Sequence, residues 1–331
     1  MREIPLTLYK YFAEAMNPKP FFPLLAAFFL LAGCARNGYV TFSGYAQGGT
    51  YSVKADLTGV GVPHEEIGAA IDSILTGIDF SLSGYNKSSL LSRYNAGEDI
   101  TPDRYFTEIR ALSERYKAET GGAFDVAAAP LFDIWGFGFT ADSLPDPQRV
   151  AEALALCKEE KTLNFNAIAQ GYTCDVVADY LHSLGVKDML VDIGEIFCEG
   201  HNPAGRGWTI GVDNPVDGND TPGADIRGVW ESDGGACGIV TSGNYRKFYV
   251  RDGKKYAHTI DPRTGYPVTH GLLSATVVAP TAAEADALAT ACMVLGPEAA
   301  RELILSRPEL EGYLITGDGS WMSDGFAARA R

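Results

Sequence analysis

The sequence predicts an α+β fold of mixed, largely antiparallel sheets packed with helices. Runs with a helical period and runs of β-branched and aromatic residues follow one another without the strict alternation of a parallel α/β sheet. Lys247 to Ile260 turns at Asp252-Gly253, a dipeptide suited to the primed two-residue turn of an antiparallel hairpin. No Gly-x-Gly-x-x-Gly spacing opens a helix, so the dinucleotide-fold fingerprint is missing. With 331 residues the chain can bury a substantial core. Without repeats or a long linker, residues 35–331 read as a single domain.

In order, Thr41 to Leu57 alternates weakly and reads as a strand entered through the flexible Gly48-Gly49 turn, where a β-bulge or a close-lying ligand would equally suit two glycines. Ile67, Ile71, Ile74, Leu75 and Ile78 place a helix over His64 to Phe80, and Tyr105 to Ala118 repeats the pattern. Between them Ser81 to Asn95 turns polar. Gly121-Gly122-Ala123-Phe124-Asp125 precedes the aromatic group Trp135-Gly136-Phe137-Gly138-Phe139, which can form a slot for a planar ring or serve as core. Gln148 to Leu156 reads as a helix and Leu163 to Asn166 as a strand. Ala167 to Gly171 then leads into a helix over Tyr172 to Leu184. A strand entering a helix through small residues presents free amides where a phosphate binds well.

Met189 to Ile193 reads as a buried strand, and Asn214 to Gly223 as a surface loop. Strands follow near Trp208 to Val212, Gly228 to Trp230 and Gly238 to Val240. After the hairpin, Asp261-Pro262-Arg263-Thr264-Gly265 fits a type I turn. Leu272 to Val278 is a further strand. Thr281 can cap the next helix, with Glu284 three residues on as in a capping box. A helix over Glu298 to Leu305 and a strand over Gly312 to Thr316 complete the fold.

The formal net charge of −15 argues against a nucleic-acid backbone as partner. It also means that an anionic substrate needs a bound cation or a run of amide donors. Phe21 to Leu31 has the length of a signal-peptide apolar segment, too short to span a membrane. It ends in Leu31-Ala32-Gly33-Cys34, which looks like the lipobox of a bacterial lipoprotein, so residues 1–34 are expected to be a leader with Cys34 as the lipid anchor. Glu3 and Glu14 are unusual in such a leader, and Met16 offers an alternative start. The remaining cysteines, Cys157, Cys174, Cys198, Cys237 and Cys292, contain no Cys-x-x-Cys pair and read as small buried thiols.

Common hydrolase and NTPase templates fail, since no Gly-x-Ser-x-Gly, zincin helix or Walker loop is present. Asp286 and Thr290, four residues apart, share one helix face and offer two hard oxygens to a cation such as magnesium. The bland alternatives are a solvated helix acid and a hydroxyl bonded back to the preceding turn. His258, on the strand leading to Asp261, can act as a general base or be merely structural.

These residues also carry a resemblance. Tyr256 to Gly265 (YAHTIDPRTG), Thr241 to Tyr245, and Ala285 to Gly296 resemble the ApbE family of FAD:protein FMN transferases. The likeness extends to Ser89 to Asn95, Gly121 to Leu131, Trp135 to Gly138, Ala167 to Asp175 and Asn202 to Trp208. It runs in order along the mature chain. The resemblance implies an ApbE-like α+β fold and transfer of FMN from FAD to a threonine of an exported flavoprotein, such as an electron-transfer subunit, with magnesium at the pyrophosphate and release of AMP. It implies Asp286, Thr290 and the Ala167 carbonyl as metal ligands. Gly48, Tyr85, Ala123, Phe124, Asp125, Asn164, Gln170 and Ile260 become FAD contacts, and His258 the base. Two other readings use the same residues: a magnesium-dependent FAD pyrophosphatase with water as acceptor, and a lipoprotein that only binds flavin. The lipobox fits an exported, periplasm-facing member anchored to a membrane through Cys34.

Overall fold

The computed structural model describes residues 38–138, 144–219, 221, 223–245, 248–251 and 254–331. The leader, Cys34, Phe139 and the Asp252-Gly253 turn lie outside the described residues. Gly38–Arg331 forms one compact unit.

Its frame is an eight-stranded sheet in the order β1-β2-β3-β4-β7-β12-β13-β14, every neighbour pair antiparallel. The strands are β1 (Tyr39–Ala46), β2 (Gly49–Asp56), β3 (Met189–Asp192), β4 (Ile196–Glu199), β7 (Cys237–Gly243), β12 (Leu272–Ala279), β13 (Glu311–Thr316) and β14 (Gly319–Met322). Three two-stranded ribbons accompany it: β5 (Thr209–Asp213) with β6 (Ile226–Glu231), β8 (Phe248–Arg251) with β9 (Lys254–Ala257), and β10 (Ile260–Asp261) with β11 (Tyr266–Pro267). The α+β expectation holds, because hairpin and ribbon connections dominate where a parallel sheet would need helical crossovers.

The single strand expected over Thr41 to Leu57 is instead the hairpin β1–β2, closed by Gln47-Gly48 between the partners Ala46 and Gly49. Both turn residues have positive φ (51° and 82°), the requirement of a primed turn, which Gly48 meets without strain. The strand expected over Leu163 to Asn166 is absent. The alternation is real, since Leu163 and Phe165 are buried, but the partner is a side chain. Asn95 Oδ1 accepts from the Leu163 amide at 2.8 Å, and its Nδ2 donates to the Leu163 carbonyl at 2.8 Å. One amide side chain thus does the work of a strand edge.

The six longer helices fall where the periodicity puts them: α1 (His64–Leu82), α3 (Arg104–Glu119), α5 (Pro147–Cys157), α6 (Ala169–Ser183), α7 (Ala282–Leu295) and α8 (Pro297–Leu305); short α2 (Leu90–Asn95), α4 (Ala129–Ile134) and α9 (Asp324–Arg329) add to them. Helix α6 begins three residues earlier than periodicity indicated, so Gln170 and Gly171 belong to its first turn. Strands β4 and β14 and the short helices α2, α4 and α9 were not legible, being four to six residues long.

Helix α7 is buried on almost every side, which its alanine-rich sequence permits. It lies between strand β7 and helix α6, and glycines set both spacings. A Cβ at Gly238 would run into the Ala282 backbone. One at Gly171 would strike the Ala282 carbonyl and come within 2.8 Å of the Asp286 Cβ. Gly171→Ala is therefore expected to push α6 and α7 apart, lowering the melting temperature by roughly 3–10 °C. A thermal melt within 1 °C or so of the parent would contradict this close packing.

Candidate active site

Helix α7 starts as its sequence indicated, with the Thr281 side chain accepting from the Glu284 amide at 3.2 Å. Only half of a capping box forms, because the Glu284 carboxylate turns away to Arg307, 2.6 Å distant. The remaining helix amides are taken by Asp175 of α6, whose two oxygens accept from Ala282 and Ala283 at 2.8 Å each. A carboxylate at a helix N-terminus is favourable against the helix dipole. Burial nevertheless raises the Asp175 pKa to about 7, outweighing those two bonds.

One turn on, Asp286 is buried at 4% exposure, which rules out a solvated helix acid. Desolvation pushes its carboxyl far above the usual range, and the nearby Asp175 charge adds to this. The hydrogen bond from Gly171 works the other way. That bond joins Gly171 N–H to Asp286 Oδ2 at 3.1 Å. Gly171 would ordinarily pair with the carbonyl four residues before it, that of Ala167. With the amide diverted, the Ala167 carbonyl has no backbone donor among the described residues. Thr290 follows on the same face of α7. Its described bond is not to the preceding turn but to Ser242 of β7, with Oγ atoms 3.5 Å apart.

Asp286 thus reaches the start of α6 through the Gly171 amide, where the Ala167 carbonyl lacks its helical donor, while Thr290, one turn further along the same face of α7, is engaged by Ser242 of β7. This is a set of hard oxygens: a buried carboxylate, a hydroxyl and a carbonyl lacking its helical donor. It fits magnesium, which takes few protein ligands and completes its shell with phosphate and water. Ser242 and Gly171 stand within the Thr-Ser-Gly-Asn-Tyr and Ala-Ile-Ala-Gln-Gly motifs, but no spacing rule marks them out.

The other candidate residues surround this point unevenly. The Gln170 side chain lies against Gly194, whose φ of 89° favours glycine. The Gln47-Gly48 turn reaches α6 through Gln47 Nε2, 2.5 Å from Thr173 Oγ1. Asn164 closes a local turn by accepting from the Asn166 amide at 2.9 Å, and Asn166 Nδ2 points to the exposed Tyr85 hydroxyl at 3.5 Å. Ala123 and Phe124 are buried, with Phe124 edge-on to Tyr116, so what that segment offers a ligand is backbone. Asp125 accepts from the Ala127 amide at 2.9 Å and pairs with Lys117 at 3.0 Å. The Ile260 side chain is buried in the core.

His258 lies in a bend after β9, not on the strand as expected, two residues before β10, which packs against α7. Asp261 receives Arg263 Nε and Nη2 at 2.9 Å each, and Gly265 N–H closes the turn onto the Asp261 carbonyl at 2.8 Å. The His258 ring meets Phe137 edge-on at 6.3 Å, at one end of an aromatic column. From there Phe137 stacks on Tyr249 (5.2 Å), Tyr249 on Tyr256 (5.3 Å) and Tyr256 on Trp135 (6.0 Å). Trp135 and Phe137 of the aromatic group thus stack on the tyrosines of the β8–β9 ribbon, and Trp135 Nε1 donates to the Gly265 carbonyl at 2.8 Å, tying the column to the Asp261 turn.

A family model described as the ApbE family matches residues 47–314. A protein from Haemophilus influenzae named FAD:protein FMN transferase is 34% identical over 313 residues, covering 86% of this chain and 89% of the relative. The protein of that name from Escherichia coli K12 is 33% identical, covering 82% and 84%. Among solved structures, the flavin transferase ApbE from Vibrio cholerae superposes with a TM-score of 0.75 at 30% identity, covering 88% of this chain and 99% of that one. The apo flavinyl transferase ApbE of Pseudomonas stutzeri gives a TM-score of 0.75 at 32% identity, covering 88% and 96%.

Proposed function

The chain belongs to the ApbE family, and on that premise we propose that it transfers FMN from FAD to a threonine hydroxyl of an exported protein, releasing AMP. The observation that carries this reading is the bond of the buried Asp286 carboxylate to the Gly171 amide, which leaves the Ala167 carbonyl without a backbone donor among the described residues, with the Thr290 hydroxyl one turn on along the same face of α7.

Asp286, Thr290 and Ala167 would hold a magnesium ion, whose chemistry is to offset the pyrophosphate charge and stabilise charge building on the leaving phosphate. The chain's own groups do the rest. The free amides expected at the start of α6 are mostly taken, since Ala169 and Tyr172 donate to the carbonyls of Phe165 and Ile168 and Gly171 donates to Asp286, so the Gln170 amide is the one that would face the pyrophosphate, in keeping with the anion preference of a helix N-terminus. Ser242 fixes the Thr290 hydroxyl, and Gly171 fixes one Asp286 oxygen, leaving the other to bind. His258 takes the proton of the incoming hydroxyl as its oxygen bonds to the FMN phosphorus and the bond to the AMP oxygen breaks. The lipobox reading of residues 31–34 would hold the enzyme at a membrane surface, facing exported acceptors.

The test is incubation with FAD, magnesium and an exported flavoprotein subunit. Flavin fluorescence that stays with the denatured acceptor, together with AMP, is the expected result. AMP with free FMN and an unlabelled acceptor would make water the acceptor. FAD bound with neither product formed would sink the enzymatic reading.

The buried acids give a second prediction. Both bind protons more tightly in the folded chain than unfolded, Asp175 at about 7 against an ordinary 3.8. Between those values the folded state holds more protons, so stability falls as pH rises. Without metal, the contribution of these acids is complete at low pH and gone once pH passes about 7. The melting temperature should therefore fall from pH 5 to pH 8, and Asp286→Asn should flatten that slope. Magnesium should raise the melting temperature more at pH 8 than at pH 6. An identical slope in Asp286→Asn would contradict the burial argument.

A further inference from the structure

We propose that Cys198 and Cys237 form a disulfide in the exported protein. The proposal rests on the export reading above for its oxidising surroundings and on the sheet for its geometry. The two residues are direct partners in the β4–β7 register, at the middle of the eight-stranded sheet. Their Sγ atoms, thiols in this structure, are 3.7 Å apart. Directly opposed residues of antiparallel strands have Cα atoms about 4.5–5.5 Å apart. A disulfide accepts Cα separations of about 4.4–6.8 Å. Rotation of the two side chains therefore brings the sulfurs to bonding distance while the strands stay in place.

Among the described residues no other cysteine competes. Cys157 lies on α5, Cys174 on α6 and Cys292 on α7, each buried as a separate thiol. Cys198 and Cys237 sit in an apolar cluster with Trp208, Trp230 and Ile239. The chain between them carries the β5–β6 ribbon, so the bond would staple that excursion to the central sheet. It would also clamp the first residue of β7, the strand that presents Gly238 to α7 and Ser242 to Thr290.

The chemistry is an exchange. Two cysteine thiols and one disulfide of a protein or small-molecule oxidant give the Cys198–Cys237 bond and two thiols on the oxidant. Exchange needs a thiolate. In the folded chain the Cys198 thiol is held well above its ordinary range by its contact with Cys237 and by burial. The bond therefore forms as β4 and β7 pair during folding, and the closed dithiol reacts slowly.

Two arms test this separately from export. In the first, the full chain is denatured, reduced and refolded in detergent in a glutathione redox buffer. It is then acid-quenched, alkylated without reduction and digested. The expected product is a linked Cys198–Cys237 peptide pair, lighter by two hydrogens than the dithiol pair, while Cys198→Ser leaves Cys237 alkylated. Alkylation of both residues in the parent chain, or Cys237 paired elsewhere, overturns the proposal on geometry. In the second, protein is taken from the membranes of its own cells with its thiols trapped at lysis, and the same linked pair is expected. Free thiols there, after a positive first arm, overturn the bond as a native feature and count against export, leaving the geometry intact.

Discussion

Replacing Asp286 by alanine is expected to lower magnesium-dependent turnover by about a hundredfold or more, the scale lost when one preorganised electrostatic group is removed from an active site. The protein should stay folded. Removing the carboxylate leaves the Gly171 amide without its 3.1 Å partner. An orphaned buried amide costs about 1–3 kcal/mol. The same change removes an acid whose charged form is strongly disfavoured by burial, and at pH 8 the two effects oppose each other. Asp286→Asn separates them further, since its amide oxygen can still accept from Gly171 while the charge is gone. Activity should be lost in both variants, with the magnesium-induced rise in melting temperature lost alongside it. Full turnover in Asp286→Ala, or an undiminished magnesium response, would remove Asp286 from the site.

How far this was legible differs from residue to residue, for physical reasons. Helix α7, its cap at Thr281 and the placing of Asp286 and Thr290 on one face follow from local rules, because a helix fixes its own geometry. The Ala167 carbonyl followed only from family likeness. What frees it is a tertiary event, the diversion of the Gly171 amide to an acid more than a hundred residues away. Ser242 was invisible for the same reason, being a strand hydroxyl that matters through its partner on α7. The Leu163 to Asn166 strand failed instructively, since alternation reports burial and cannot distinguish a neighbouring strand from the Asn95 side chain. The Cys198–Cys237 pairing likewise depends on strand order, which brings β4 beside β7 after the β5–β6 excursion.

Replacing His258 by alanine should slow transfer by about 10²–10⁴-fold, the usual worth of a positioned base, and leave magnesium-dependent FAD binding within a few fold of the parent. The geometry also offers a competing role. The ring closes an aromatic column over Phe137, so a purely structural histidine would lower stability and rate together. Two measurements separate these roles. If His258 takes the hydroxyl proton, the parent rate should rise with pH at saturating magnesium, because only the neutral ring accepts a proton. His258→Ala should lose that limb, and added imidazole should restore part of its rate. A structural ring predicts neither, since free imidazole cannot rebuild a packed column. An unchanged pH limb in His258→Ala, with no rescue, would move the base elsewhere. Asp261 is a poor substitute, its carboxylate already engaged by both the Nε and Nη2 groups of Arg263. The acceptor hydroxyl would then have to lose its proton to a group outside the Asp261 turn.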